Sequence, residues 1–521
     1  MLGQVTVDER KLLQELAVFD GMVQTKSEHA TFQSTAQRSS SPILRIPIEL
    51  TSSIFRAAIG GLSYDNERKA EKMLYNLSHV CEAWRLIALS LPDLWTSFTS
   101  TNPSNSDLER LTAHLSRSDN KFLDLHFELN TTIDKEAFKG LMKIATRHIT
   151  RWKRFVLRSA LSSAGHFIPN AQYWRNFFKA VFIEWLSAPN LEVIDIVINP
   201  SRSPLELVIP SNSDLPEIPY FQGGAPKLAQ ARFDSWSLMA CKPLSHNVTT
   251  LHIGDLHDSG PKYPFTAFLD ILASSQLTDL SLSGNIFRQR FEQNARPVLS
   301  PELKHIRLAN CWALASNIFQ YLRAPKLELL VLIRMSLNSS WTFPEAEYDP
   351  SAPLNIFPSI RSLAFIDCNT SITCVEHLAD ITRAATDLYI DHDFNVVTPG
   401  SDLFCLMAQT PEANILWPNL CTMHCRIDQL MEGHSDFNIF LDVITRRWET
   451  LKKHCVLKLH DEDAQAWEEY DPETWSRLVE GGFYDEWLAA DEVDFVPWPP
   501  RATQKFDRLW EDEFITSYGK A

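Results

Sequence analysis

The chain has 521 residues, 45% hydrophobic and 22% charged, which excludes a largely unfolded polymer and leaves room for about three ordinary domains or one long repeat body. Its net charge is −16, and the stretch from Asp461 to Ala521, with 17 acidic and 5 basic residues, carries most of that excess. An acidic chain without a long basic run is repelled by phosphate backbones, which sets nucleic acid aside as a principal partner.

The opening residues, MLGQVTVDERKLLQELAVF, place charges inside the first apolar stretch. Neither a signal peptide nor a membrane span is expected there, and the reading is of a cytoplasmic or nuclear protein with no membrane partner. Nine scattered cysteines without paired CxxC knuckles fit free buried thiols in a reducing compartment. Residues 5–24 can wind into one amphipathic helix, and the Ser-, Thr- and Gln-rich stretch to Ser41 reads as a linker, so that 1–41 forms a first region.

From Leu44 to about Thr99 the pattern is helical, broken at Gly60-Gly61 and at Pro92. Pro47 suits a first helical turn, where its missing N–H has no partner to lose. Winding residues 47–62 at 100° per residue gathers Leu50, Ile54, Phe55, Ala58 and Leu62 in one sector. A second helix, 73–91, gathers Leu74, Leu77, Val80, Cys81, Trp84, Ile87, Ala88 and Leu91. Two short helices of this kind can pack together without closing a large core. Region 42–100 is read as one domain.

Beyond Asn120 the phrase apolar-x-x-apolar-x-apolar returns again and again. It runs through Trp152-Phe155-Leu157, Leu191-Ile194-Ile196, Leu228-Ala231-Phe233, Val248-Leu251-Ile253 and Leu277-Leu280-Leu282. It continues as Leu303-Ile306-Leu308, Leu327-Leu330-Leu332, Ile360-Leu363-Phe365, Ala385-Leu388-Ile390 and Leu420-Met423-Cys425. From Leu191 to Ile360 successive starts lie 37, 20, 29, 26, 24 and 33 residues apart, around the length of a leucine-rich repeat. Eight residues after the first apolar position stand Asn199, Asn285, Cys311 and Cys368, where such repeats favour Asn or Cys to satisfy backbone groups at the strand's end.

Helical pieces are expected at 174–186, 265–273, 315–322, 375–384 and 437–447, between the strands. The expected fold class is α/β, an irregular leucine-rich-repeat-like solenoid with parallel strands over 101–460. A doubly wound sheet competes, but no Gly-rich phosphate loop opens a helix. Region 461–521 carries Trp467, Trp475, Trp487, Trp498 and Trp510 among dense acid, and reads as a cap on the last repeat or as an acidic tail. The cap is favoured for its first half.

The string from Leu44 to Trp95 resembles the F-box of fungal, mushroom-type proteins. It has Pro47-Ile48-Glu49-Leu50 and Ile54-Phe55, then Leu77-Ser78-His79-Val80-Cys81, Trp84-Arg85, Ile87-Ala88 and Pro92-Asp93-Leu94-Trp95. Ile46 stands where the family usually has Leu, and Thr51, Ser52 and Ser53 make the first helix more polar than in many relatives. The resemblance covers about a tenth of the chain. It implies a three-helix module docked on the Skp adaptor of a cullin-RING ubiquitin ligase, with Pro47, Ile48, Leu50, Ile54, Phe55, Val80, Cys81 and Trp84 facing the adaptor. Leu94 and Trp95 would seal the module onto the first repeat.

No GxSxG elbow, HExxH helix, phosphate loop or dinucleotide fingerprint occurs, so no catalytic residue, cofactor or metal is expected. Asp391-His392-Asp393 reads as a solvated loop, and Cys421, His424 and Cys425 lack a fourth zinc ligand. Trp236, Trp312, Trp341 and Trp417 read as core wedges rather than the lining of a groove. The expected function is a substrate receptor that holds an unknown target protein on its repeats. A repeat scaffold with a weak or ligase-independent F-box is the alternative, and a hydrolase hidden in the α/β body is a third, remote one.

Overall fold

In the computed structural model the described residues are 46–60, 67–101, 103–129, 134–159, 187–198, 224–240, 247–254, 263–274, 276–284, 286–287, 296–311, 318–337, 356–391, 403–409, 415–426, 437–487 and 498. The expected helices at 5–24 and 174–186, Asn199, Asn285, Trp312, Trp341, Trp510 and the pair His392-Asp393 lie outside them. The chain divides into two units, Met1–Trp95 and Thr96–Ala521. The division falls a few residues before the expected one at residue 100, because Ser97–Thr101 is a strand that pairs with Leu123–Leu129.

The first unit has three helices, α1 Ile48–Gly60, α2 Glu67–His79 and α3 Glu82–Leu89, and a 3-10 turn, Pro92–Trp95. The single second helix expected over 73–91 is two, because Cys81 is extended (φ −159°) and caps α3. Arg85 Nε then donates to the Ser78 carbonyl across that break, at 3.1 Å. Phe55, Leu74, Ala88, Leu94 and Trp95 form the core. The Trp95 indole donates to the Ala88 carbonyl (2.9 Å), so this ring closes the unit's own core. The hydroxyls of Thr51, Ser52 and Ser53 return to the carbonyls of Pro47, Ile48 and Glu49, which lets Thr51 and Ser52 be buried without an unmet donor.

The second unit is α/β and is built on a 14-stranded sheet, all parallel, whose spatial order is the order of the chain. Its strands are β1 Ser97–Thr101, β2 Leu123–Leu129, β3 Trp152–Ser159, β4 Val193–Val197, β5 Gln230–Phe233, β6 Thr250–Gly254 and β7 Asp279–Ser283. They continue with β8 His305–Ala309, β9 Leu329–Ile333, β10 Ser362–Ile366, β11 Asp387–Asp391, β12 Thr422–Arg426, β13 Val456–Leu459 and β14 Tyr484–Glu486. The ten repeated phrases fall on the ten successive strands β3 to β12. Their last two apolar residues alternate on one face, as Leu280 and Leu282 or Leu363 and Phe365 do, within a single core cluster that also takes in helix residues such as Phe138, Leu272, Leu378 and Ile444.

The helices of this unit are α4 Asn105–Arg117, α5 Lys135–Thr146, α6 Ser235–Ala240, α7 Phe265–Ser274, α8 Ile372–Ile381, α9 Leu403–Gln409, α10 Phe437–Leu451, α11 Asp461–Tyr470 and α12 Pro472–Glu480. The expected pieces at 265–273, 375–384 and 437–447 correspond to α7, α8 and α10, each shifted by a few residues at one end or the other. Residues 461–487 continue the alternation through α11, α12 and β14. Trp467 is enclosed in the main core and Trp475 packs against it. No described helix is long and apolar enough to cross a membrane.

Two local devices repeat. A proline-led turn precedes many strands: the amides of Leu191, Leu228, Leu327, Ile360 and Leu420 return to the carbonyls three residues earlier, across Pro189, Pro226, Pro325, Pro358 and Pro418. Proline fixes φ at the second turn position and pre-forms the entry into the strand. At the other end, Gly284, Asn310, Arg334 and Asp367 each stand one residue past their strand at φ 77°, 51°, 48° and 50°. Their amides donate to Ala309, Ile333, Ile366 and Asp391, so the ladder ends in the same left-handed bend on four strands. Just after two of these bends the Cys311 thiol meets the Leu282 carbonyl (3.8 Å) and the Cys368 thiol the Leu332 carbonyl (3.3 Å). Burial pushes the Cys368 thiol up to about 12, and both cysteines stay protonated donors.

Candidate protein-interaction surfaces

In the first unit the residue pattern places apolar side chains on the outside. Ile48, Leu50, Ile54 and Val80 are 55%, 57%, 50% and 57% exposed, and Pro47 is exposed as well. Leu50 and Ile54 are i and i+4 on α1, with exposed Ser53 and Ala57 on the same flank. The three helices already have a core without them, so their exposure is not forced by a shortage of interior. Exposed apolar side chains on so small a unit are the chemistry that a protein contact would use.

Three of the expected contact residues sit elsewhere. Phe55 is fully enclosed, with its ring edge-on to Trp84 at 5.1 Å, so it serves the core and has no surface to offer a partner. The reason is angular: Phe55 is 100° from Ile54 on the helix and turns toward α3. Cys81 and Trp84 are half-buried, Cys81 as the cap residue of α3 and Trp84 through that ring contact. Leu86 and Met73 are exposed and were not singled out by the motif.

In the second unit the candidate is the sheet face turned away from the main core. One in-register row crosses all fourteen strands on it, from Thr99 and His126 on β1 and β2 to Lys458 and Asp485 on β13 and β14. Its chemistry changes along the way. Asp195, Arg232, His252, Ser281 and Arg307 follow one another on β4 to β8, and all are buried. Val331 and Ala364 come next, then Tyr389 and His424, stacked at 4.1 Å with 10° between their planes.

The charged end is a tied network. Arg158 donates to Asp195 through Nε (3.1 Å) and Nη2 (2.6 Å), and Arg232 lies 3.8 Å from the same carboxylate oxygen. Burial alone raises a carboxyl's pKa, but Arg158 and Arg232 outweigh it and hold Asp195 below the usual range. His252 is held well below the ordinary histidine value, first by burial and then by Arg232, Arg307 and Arg158, and is neutral. Arg307 donates to Ser281 Oγ at 2.8 Å, and His305 Nδ1 pairs with Asp279 at 2.6 Å.

The apolar centre is covered from the chain's own C-terminal side. Ala309, Leu329, Val331, Ile333, Ala364 and Tyr389 cluster with Trp487 and Trp498. Trp487 stacks on His460 (4.3 Å) and meets His424 edge-on (5.1 Å), while the Arg307 guanidinium stands 5.1 Å from the Trp498 ring centre. The sequence phrase marks only the face toward the helices, so this face carried no signal of its own.

Cys421, His424 and Cys425 are not brought together. Along β12 successive side chains alternate, so Cys425 enters the main core and His424 the opposite aromatic stack, while Cys421 is exposed. Trp417, read as a core wedge, is enclosed and donates to Thr382 Oγ1 at 2.8 Å. No family model matches the chain, and no curated protein matches it either.

Proposed function

We propose that the chain is a non-catalytic substrate receptor of an SCF-type cullin-RING ubiquitin ligase, in which the three-helix unit is an F-box that binds the Skp adaptor. The sheet unit is then an irregular leucine-rich-repeat-like solenoid that holds a target protein and raises its local concentration at the ligase. The observation that carries the reading is the exposure of Ile48, Leu50, Ile54 and Val80, four of the motif's apolar residues, on a unit already closed by Phe55, Leu74 and Trp95. Supporting it are the chain-ordered parallel strands, the four left-handed strand ends and the thiols that meet the neighbouring strand's carbonyl.

The test is co-elution of the full chain with purified Skp adaptor. L50D/I54D changes only exposed positions and is expected to abolish co-elution while leaving the thermal melt within a few degrees. Wild-type protein that does not co-elute, or a folded double variant that still does, removes the F-box reading. Adaptor binding without any protein accumulating when the chain is depleted favours a repeat scaffold that stands apart from ubiquitin transfer.

A further inference from the structure

A cysteine precedes both β12 and β13. Thr422 pairs with Val456 at the start of the two strands, and Cys421 and Cys455 stand one residue before them. The register carries over to the cysteines, because the Val456 amide donates to the Cys421 carbonyl at 2.8 Å. Neighbouring strands lie about 4.8 Å apart, inside the Cα separation of roughly 4.4–6.8 Å that a disulfide spans. The two residues also share a face: Met423 and Leu457, two places on, are partners that both enter the main core, and Cys455 enters it with them. At the equivalent place on β3 and β4, Lys153 and Glu192 stand one residue before the partners Arg154 and Val193, and their charged ends meet at 3.8 Å. Side chains at this position therefore reach one another across strands.

Both are free thiols, in unlike surroundings. Cys421 is exposed, its thiol donating to the Asn419 carbonyl at 3.3 Å, whereas Cys455 is 1% exposed. Arg447 on α10 links them. Its buried guanidinium donates to the carbonyls of Leu416 (2.7 Å) and Trp417 (2.6 Å), hydrogen-bonds the Cys455 sulfur and feels the charge of both sulfurs. Burial pushes the Cys455 thiol up to about 11, and Arg447 pulls it the other way, so the cation favours the thiolate at the moment that sulfur attacks. The cysteines at the strand ends lack such a neighbour: Cys311 and Cys368 follow β8 and β10, with β9 between, two strand spacings or about 10 Å apart.

We propose that Cys421 and Cys455 form an oxidisable dithiol, a modification site at which hydrogen peroxide oxidises the exposed thiol and the buried one then closes a disulfide between β12 and β13. In the first step the Cys421 thiolate attacks the peroxide: an S–O bond forms, the O–O bond breaks, and the departing hydroxide takes up the proton that Cys421 has given, leaving as water. In the second, the Cys455 sulfur attacks the sulfur of this sulfenic acid: the S–S bond forms, the S–O bond breaks, and the hydroxide leaves with the Cys455 proton as a second water. Two thiols and one peroxide become one disulfide and two waters. The bond ties the last repeat phrase to the strand that leads into α11 and α12. It stands whether or not the three-helix unit binds an adaptor.

The experiment treats full-length protein with hydrogen peroxide, blocks the remaining thiols by alkylation and maps the peptides by mass spectrometry without reduction. The expected product is an intramolecular link between the Cys421 and Cys455 peptides that dithiothreitol reverses. C455S removes the second thiol and is expected to accumulate about tenfold more sulfenic acid at Cys421 than wild type does, read as its dimedone adduct. C421S is expected to leave Cys455 a free thiol, because it is enclosed. Wild-type protein in which Cys421 is oxidised while Cys455 remains a free thiol overturns the proposal, as does a Cys421 that links to a second chain instead. The wild-type map needs no variant, so a C455S that does not fold leaves that test intact.

Discussion

The two units depart from the usual sorting of side chains in opposite directions. The three-helix unit leaves Ile48, Leu50, Ile54 and Val80 in solvent, while the sheet unit encloses Asp195, Arg232, His252 and Arg307. Large apolar side chains outside and charges inside are both unfavourable unless something compensates. In the sheet unit the compensation is internal: Asp195 is tied to Arg158, and Arg307 to Ser281. In the helical unit nothing internal compensates, and a partner surface would. Substitutions should therefore be felt in different measurements: stability in the sheet, association in the helices.

The largest effect is expected at Asp195. Asp195→Ala leaves the part-buried Arg158 and the buried Arg232 without the carboxylate between them, and is expected to lower stability by about 3–5 kcal/mol in urea unfolding. A loss below about 1 kcal/mol would mean that this network behaves like a surface pair, and the contrast would fail on the sheet side.

The pH dependence should sharpen the same side. His252 has a folded pKa held below its unfolded value, so the unfolded chain takes up a proton that the folded chain refuses. Its contribution is whole above about pH 6.5, the unfolded value, and is lost progressively as pH falls below that point. Asp195, also depressed, acts in the same direction at lower pH: its contribution is present above the unfolded carboxyl value and disappears as pH falls through the folded one. Urea midpoints measured between pH 7 and 5 should fall for wild type and fall less for His252→Asn.

A smaller effect tests the repeat device. Gly284 ends β7 at φ 77°, and Gly284→Ala forces a Cβ into the left-handed region at a cost of about 1–2 kcal/mol, read as a lowered urea midpoint. The smallest stability change is expected where the association effect is greatest. Leu50→Asp should alter the urea midpoint by less than the equivalent of about 0.5 kcal/mol, yet weaken adaptor co-elution. A strongly destabilised Leu50→Asp would make Leu50 a core residue and end the contrast on the helical side.

Much of the sheet was legible. The phrase needs an apolar residue at two alternate positions of each strand because one face must meet the helices, and that need recurs at every turn of the chain. The edges were less so. β2, with Leu123, Leu125, Phe127 and Leu129 inward, has perfect alternation, but the leading residue of its phrase, Phe122, is half-exposed where Leu191 or Leu327 is enclosed, and β14 is only three residues long. The proline-led turns were present in the sequence as a recurring x-Pro-x-Leu or x-Pro-x-Ile, and are the signal that would have marked the strand starts.

The candidate surfaces divided in the same way. The motif named Leu50, Ile54 and Phe55 together, but a helix turns 100° per residue, and the position of α3 decides that Phe55 goes in while its neighbours stay out. By itself, then, the sequence determined the strands β3 to β12 and which of their faces meets the helices, because those follow from local periodicity. Only the tertiary structure decided that Asp195, Arg232 and Arg307 are enclosed, and that Trp487 and Trp498 come to lie on that second face. Those outcomes depend on pairs such as Arg158 and Asp195, or Arg307 and Trp498, that stand far apart in the chain and meet only when the strands are laid side by side.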